Sequence, residues 1–185
     1  MTRSFPILML SLSLSLSLLK SQVTFVKGYV VDVKGDTLKG EVKLNPKKEN
    51  EVYVKVFFKD AGGVIKTYKP NKIKAYGFND LNFISMDSEG EPSFYNVLAR
   101  GEINFYKLMF EALRMNKAVF EAEYYIAPPD NKKLSIVREG KFKKQLSDWM
   151  KDNPEFLAAY EDEKVFDVDK ATSLIKQYNA WKASQ

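Results

Sequence analysis

A strict alternation of residue types constrains the fold of this chain most strongly. Across Thr37–Leu44, apolar residues or glycine take every second position, and Thr, Lys or Glu takes the others. Period two is that of a β-strand, whose successive side chains point to opposite faces. Gly35-Asp36 separates this run from the apolar-rich run Gly28–Val33. Because glycine adopts the positive φ of a tight turn, the pair of runs predicts a β-hairpin.

Similar runs, separated by turn residues, continue to residue 137. The predicted strands are Gly28–Val33, Thr37–Leu44, Glu51–Lys59, Val64–Tyr68, Lys72–Phe78, Leu81–Asp87, Ser93–Leu98, Gly101–Phe110, Ala118–Ile126 and Leu134–Val137. Short strands at this spacing favour an antiparallel β-sandwich or a partly open barrel.

The last third of the chain changes to a helical period. Apolar residues recur three and four positions apart, which is typical of one face of an α-helix. These residues are Phe142, Leu146, Trp149 and Met150, then Phe156, Leu157 and Tyr160, then Ala171, Leu174, Ile175, Tyr178 and Trp181. Asn153-Pro154 and Asp167 or Asp169 are suitable starts for the second and third helices.

Strands followed by helices indicate an α+β chain. We expect an antiparallel β domain over 22–138 and three C-terminal helices over 139–185 that pack on it. Three short helices alone would form a marginal core, so a separate bundle is the less favoured arrangement.

Residues 1–21 have the composition of a secretory signal peptide. Arg3 precedes a fifteen-residue apolar run, Phe5–Leu19, in which Ser and Leu alternate from Leu10 onward. A membrane-spanning helix needs roughly 20 apolar residues, so an uncleaved anchor is the weaker alternative. We expect cleavage near Ser21, with Ser17 as a second site, and an exported protein that is periplasmic or extracellular. No second long apolar segment follows, so we expect no transmembrane segment in the mature chain.

Two residue types are missing from the sequence, and their absence narrows the chemistry. The chain contains no His and no Cys. Disulfides, cysteine lipidation, thiolate nucleophiles, Ser-His-Asp triads and His/Cys zinc sites are therefore excluded. We expect no cofactor, no metal site and no catalytic residue.

The charge of the chain is mildly basic. The formal net charge is +5, and the leader carries two of the positive charges, which leaves +3 for the mature chain. The basic clusters are Lys47-Lys48, Lys132-Lys133 and Lys141 with Lys143-Lys144. A nucleic-acid-binding protein has a stronger basic stripe, so we expect no nucleic-acid partner. Weak attraction to an anionic membrane or polysaccharide remains compatible with this charge.

Aromatic residues are the candidate ligand-binding groups. The chain has 13 Phe, 10 Tyr and 2 Trp. Tyrosine on an exposed sheet face offers a flat ring with a polar tip, which suits sugars or peptides. Six tyrosines of the predicted strands are the candidates: Tyr53, Tyr76, Tyr95, Tyr106, Tyr124 and Tyr125. The alternative role of these rings is to fill the core of the sheet.

Two groups of carboxylates have a spacing that suggests glycoside hydrolysis or calcium binding. Glu121 and Glu123 share a face of a predicted strand about 7 Å apart, within the range of an inverting glycosidase pair. A solvated sheet face explains them more simply. Asp167 and Asp169 lack the Gly and distal Glu of an EF-hand, and helix capping explains them better.

Several short patterns resemble an uncharacterised family of exported proteins from Gram-negative bacteria. The stretch 28–42 reads GYVVDVKGDTLKGEV, and Tyr68-Lys69-Pro70-Asn71-Lys72-Ile73 follows. Tyr124-Tyr125-Ile126 and the stretch 174–179, LIKQYN, resemble later landmarks of that family. The resemblance implies a location in the cell envelope and assigns no activity to any residue.

Together these observations predict a non-enzymatic protein that binds or scaffolds in the cell envelope, with a polysaccharide or protein partner. The alternative is a small carboxylate-dependent enzyme that acts on envelope sugars. A sensor whose helices dock a membrane partner is a third option.

Overall fold

The protein forms one open antiparallel sheet with helices at its C-terminus. This computed structural model describes residues 23–88, 90–158, 160–161 and 165–185. The predicted leader and its expected cleavage site lie outside these residues. None of the helices in the described ranges is long and apolar enough to cross a membrane.

The strands and helices have the following bounds. The strands are β1 Thr24–Asp32, β2 Thr37–Leu44, β3 Val56–Lys59, β4 Ile65–Tyr68, β5 Ile73–Phe78, β6 Leu81–Ser88, β7 Glu91–Ala99, β8 Asn104–Arg114, β9 Lys117–Ala127 and β10 Ser135–Ile136. The helices are α1 Phe142–Ser147, α2 Glu155–Ala158 and α3 Val168–Ala183, and two 3-10 helices span Glu49–Tyr53 and Pro70–Lys72. The predicted antiparallel sheet followed by three helices is confirmed.

Within the sheet the strands lie in the order β10-β9-β8-β7-β6-β5-β1-β2-β3-β4. All neighbours are antiparallel, and β1 lies between β2 and β5. The predicted hairpin of β1 and β2 is confirmed, with Val31 opposite Thr37 and Thr24 opposite Leu44. The edges of the sheet are β10 and β4.

Close backbone packing explains a glycine in the middle of β2. A Cβ atom on Gly40 would lie 2.3 Å from the carbonyl oxygen of Lys59 and 2.6 Å from the Phe58 ring. Such distances are far inside van der Waals contact, so only a residue without a side chain fits here.

One predicted strand is wrong in its first half. Glu51–Lys59 was expected to be extended, but Glu49–Tyr53 is a 3-10 helix and β3 begins only at Val56. The Tyr53 ring packs edge-on against Phe83 at 5.4 Å, which pulls this segment over the sheet. Tertiary packing therefore overrides the local alternation.

The described residues bury two main hydrophobic clusters. One lies between β1–β7 and the first 3-10 helix, and Tyr76, Phe83 and Phe94 are among its largest buried residues. The other joins Phe105 and Ile126 of the sheet to residues of the C-terminal helices, including Phe142 and Ile175. The helices thus pack on the sheet through a shared core.

Candidate binding groove between the second and third helices

The six tyrosines proposed as a binding surface do not form one. Tyr53, Tyr76, Tyr95 and Tyr106 are buried, and Tyr124 and Tyr125 are half-buried. Rings inside the protein cannot stack on a ligand at its surface, so this interpretation needs correction. Alternation placed five of the six tyrosines on strands correctly, with Tyr53 in a 3-10 helix instead, but it did not reveal which face of each strand would be covered.

Contacts of individual rings show what these tyrosines do instead. Tyr76 stacks on Phe83 with a centroid distance of 4.7 Å, and its hydroxyl donates to the Val52 carbonyl. Burial raises the pKa of Tyr76 well above its usual value. The Tyr106 hydroxyl is 2.8 Å from Oδ1 of Asn131, in the loop after β9. These rings stabilise the core and hold a loop in place.

Glu121 and Glu123, the pair of carboxylates considered for catalysis, are both engaged by other side chains. Glu121 accepts two hydrogen bonds from Arg114, at 2.6 and 3.0 Å, and this partner lowers the pKa of Glu121. Glu123 accepts a hydrogen bond of 2.6 Å from the hydroxyl of Tyr125. The arrangement is that of a solvated sheet face with local pairs.

Asp167 is a helix cap. Its side chain accepts hydrogen bonds of 3.0 Å from the backbone N–H groups of Asp169 and Lys170, at the start of α3. These bonds satisfy donors that the first helical turn leaves without partners. No cluster of three potential metal ligands occurs among the residues that the structure describes.

The strongest candidate for a ligand site is a groove between α2 and α3. Its volume is about 530 Å³, within the roughly 300–1,000 Å³ of small-molecule sites. Its lining combines rings and apolar groups with amides, a hydroxyl and two charges: Asn153, Glu155, Phe156, Tyr160, Lys170, Ser173, Leu174, Gln177 and Trp181. We call this set the α2–α3 groove.

Aromatic packing fixes the apolar wall of the groove. The Phe156 ring meets Tyr178 edge-on at 5.6 Å and Trp181 at 5.8 Å. Tyr178 is fully buried, whereas Phe156 and Trp181 are half-buried. The buried ring therefore supports two rings that each keep part of their surface in the groove.

Polar side chains cross the groove along the exposed side of α3. Nε2 of Gln177 donates to Oγ of Ser173 at 3.1 Å, one helical turn away. Nζ of Lys170 lies 5.4 Å from the centre of the Tyr160 ring, a cation–π distance. Amide, hydroxyl and ammonium groups thus lie beside the aromatic wall.

A buried amide in the C-terminal half of α3 holds the helix against the loop between β7 and β8. Oδ1 of Asn179 accepts from the N–H of Ile103 at 2.9 Å, and Nδ2 of Asn179 donates to the Ile103 carbonyl at 2.7 Å. Gly101 makes this approach feasible, since a Cβ atom there would lie 2.6 Å from Cγ of Asn179. The two bonds set the rotation of α3 and hence the direction of its groove residues.

A second connection holds the C-terminal end of α3. The Tyr178 hydroxyl is 2.7 Å from Oδ1 of Asp152, and Lys182 forms an ion pair with the same carboxylate. The hydrogen bonds from Lys182 and Tyr178 hold the pKa of Asp152 below its ordinary value. Burial is the main cause that raises the pKa of Tyr178 well above its usual range, and the hydrogen bond to Asp152 is the second.

Sequence reasoning found the helices but missed the groove. The apolar stripe of the third helix was assigned as one packing face. The structure buries Ala171, Ile175 and Tyr178 and leaves Leu174 and Trp181 half-exposed at the edge. The available signal was the width of the stripe, which is greater than one packed face requires.

Comparisons with known proteins add no information about this groove. We found no match between the chain and protein-family models, curated proteins or solved structures. Its chemistry is therefore inferred from its own residues.

Proposed function

We propose that this protein is an exported, non-enzymatic protein of the Gram-negative cell envelope that binds a polysaccharide in the α2–α3 groove. The observation that carries the proposal is the half-exposed aromatic wall of Phe156 and Trp181 beside the side chains of Gln177 and Ser173. Sugars present apolar ring faces and a rim of hydroxyls, so they suit a site with this combination.

The location belongs to the same proposal. The leader composition over 1–21 and the resemblance around Gly28–Val42 to exported proteins support export to the envelope. In this proposal the sheet is a partly open barrel that supports the helices. The 3-10 helix Glu49–Tyr53 supports a bent sheet, because it follows β2 yet contacts β7 and β8, which are separated from β2 by three and four strands.

The small number of acidic groups in the groove favours binding of the sugar over its hydrolysis. Glu155 is the one carboxylate among the described residues that line it. Most glycoside hydrolases need two carboxylates that flank the scissile bond. The carboxylates that sequence analysis paired, Glu121 and Glu123, lie on β9 and are hydrogen-bonded to Arg114 and Tyr125.

Tryptophan fluorescence provides a direct test. A Trp149→Phe variant leaves Trp181, which lines the groove, as the sole tryptophan. A glycan array with peptidoglycan and lipopolysaccharide fragments would identify a ligand, and titration of that ligand should change the Trp181 emission. Gln177→Ala should weaken binding about tenfold, as expected when a polar contact to the ligand is lost.

The matched control is Lys176→Ala, because Lys176 is the exposed neighbour on the same helix and does not line the groove. It should bind as the wild type does. The proposal would be refuted if the protein bound no glycan on the array, or if Gln177→Ala and the wild type bound the ligand with equal affinity.

A further inference from the structure

The hairpin of β8 and β9 extends beyond the strand next to it. The two strands pair along their whole length, from Asn104 opposite Ala127 to Arg114 opposite Lys117. The ladder between β7 and β8 covers only Phe105 to Lys107 of β8. The outer half of the hairpin is therefore a two-stranded arm.

Large apolar side chains are exposed at the end of this arm. Leu113 is 79% exposed, Met115 is 99% exposed and Phe120 is 53% exposed. Leu113 pairs with Ala118 and Phe120 pairs with Glu111, so Leu113 and Phe120 lie on the same face. Exposed apolar groups gathered at one protruding end are typical of an interaction surface.

The segment after β2 enlarges this surface. Val54, which is 62% exposed, lines a cavity of about 340 Å³ together with Phe120. Lys47 and Lys48 line the same cavity. We call Val54, Leu113, Met115 and Phe120, with Lys47, Lys48 and Lys117, the arm patch.

The charge of the arm patch favours an anionic partner. The nearby acids Glu51 and Glu121 are held in ion pairs with Lys55, at 3.1 Å, and Arg114, at 2.6 Å. Within the described part of the chain, the three lysines of the patch make no ion pair. Glu49 and Glu111 are the other acids close by, so the basic groups exceed the acidic ones by one. Apolar groups beside lysines are the combination that anionic lipid surfaces attract.

The start of the described chain lies on the same side of the molecule. Thr24 begins β1 and pairs with Leu44, only three residues before Lys47. The apolar run Phe5–Leu19 precedes Thr24 in the sequence. A leader of this kind inserts into the bilayer during export, so this side of the protein faces the membrane until the leader is cleaved.

We propose that the arm patch docks on an anionic lipid bilayer, with Leu113 and Met115 inserted at the level of the headgroups. Leu113 lies six residues beyond Lys107, where the pairing with β7 ends, so the tip of the arm extends about 20 Å past that ladder. Interfacial segments commonly enter the bilayer by about 5–10 Å. Docking of this kind holds the protein against the membrane and leaves the α2–α3 groove, which is formed by other elements, available to its own ligand.

Vesicle sedimentation tests the inference with the protein as the cell exports it. The wild type should sediment with vesicles of phosphatidylglycerol and phosphatidylcholine, and much less with phosphatidylcholine alone. The double variant Leu113→Ser/Met115→Ser should reduce the partition coefficient about tenfold or more, because two exposed apolar side chains lose their lipid contact. Lys47→Glu/Lys48→Glu should weaken binding most at low salt.

The matched control is Val64→Ser/Ile65→Ser, which removes apolar side chains of 54% and 53% exposure from the β3–β4 hairpin. This variant should bind vesicles as the wild type does. Unchanged melting temperatures would show that both double variants are folded. Equal sedimentation of Leu113→Ser/Met115→Ser and the wild type would overturn the inference and assign membrane binding to another segment. Failure of the wild type to bind vesicles would also overturn it, as would capture of a protein partner through Leu113 and Met115 without vesicle binding.

Discussion

Replacing Asn179 with alanine should destabilise the protein more than any change at an exposed position of α3. The substitution removes both hydrogen bonds between this side chain and Ile103, which is fully buried. The N–H and C=O of Ile103 then lack partners inside the protein. Each buried orphan group costs about 1–3 kcal/mol, so the loss of both partners should lower the free energy of unfolding by roughly 2–6 kcal/mol.

Urea unfolding followed by tryptophan fluorescence measures this change, because Trp149 and Trp181 both lie in the C-terminal region that the bond secures. A loss of about 3 kcal/mol lowers the melting temperature by roughly 6–12 °C for a chain of this size. Lys176→Ala, on the exposed side of the same helix, should change stability by less than about 0.5 kcal/mol. A loss below about 1 kcal/mol for Asn179→Ala would refute the assignment of this amide as the lock of α3.

Two other predictions concern close packing and pH. In urea unfolding, Gly40→Ala should lower stability by about 1–3 kcal/mol or more, because the new Cβ would overlap the Lys59 carbonyl. The control Gly62→Ala, in the β3–β4 turn, should cost less. Equal losses for the two variants would contradict the argument from packing. The hydrogen bond from Lys182 lowers the pKa of Asp152 from its ordinary value of 3.8. The ionised Asp152 therefore stabilises the fold above pH 3.8, and this stabilisation is lost as the pH falls through the lower pKa of the folded state. Asp152→Asn should therefore make acid unfolding, followed by circular dichroism below about pH 5, less steep than in the wild type; an unchanged acid transition would argue against the pair.

The local sequence was sufficient to predict an element wherever the side-chain period and the turn residues indicated the same structure. The strand Thr37–Leu44 begins and ends where alternation predicts, since Gly35 adopts the positive φ of the turn before it. Asp167, one of the two caps that the sequence offered, caps α3, and the cap depends only on backbone groups two and three residues away. Such features require no information from distant parts of the chain.

Residues with two acceptable environments were predicted less well. Val52 and Val54 alternate as a strand would, yet they belong to a segment that leaves the sheet so that Tyr53 can pack on Phe83. The α2–α3 groove was missed for the same kind of reason. Trp181 shares a helical stripe with Tyr178, and only the packing of α2 determines which of them is covered.

The sequence by itself determined the order of strands and helices, the turns, the helix cap and the lack of His and Cys chemistry, because each depends on residue type and short spacing. The tertiary structure alone decided which tyrosines are buried, where the groove opens and that apolar side chains remain exposed on the β8–β9 arm. Burial depends on contacts between residues such as Ile103 and Asn179, 76 positions apart in the chain. Alternation specifies that a strand has two faces, but only the packed neighbours decide which face is covered.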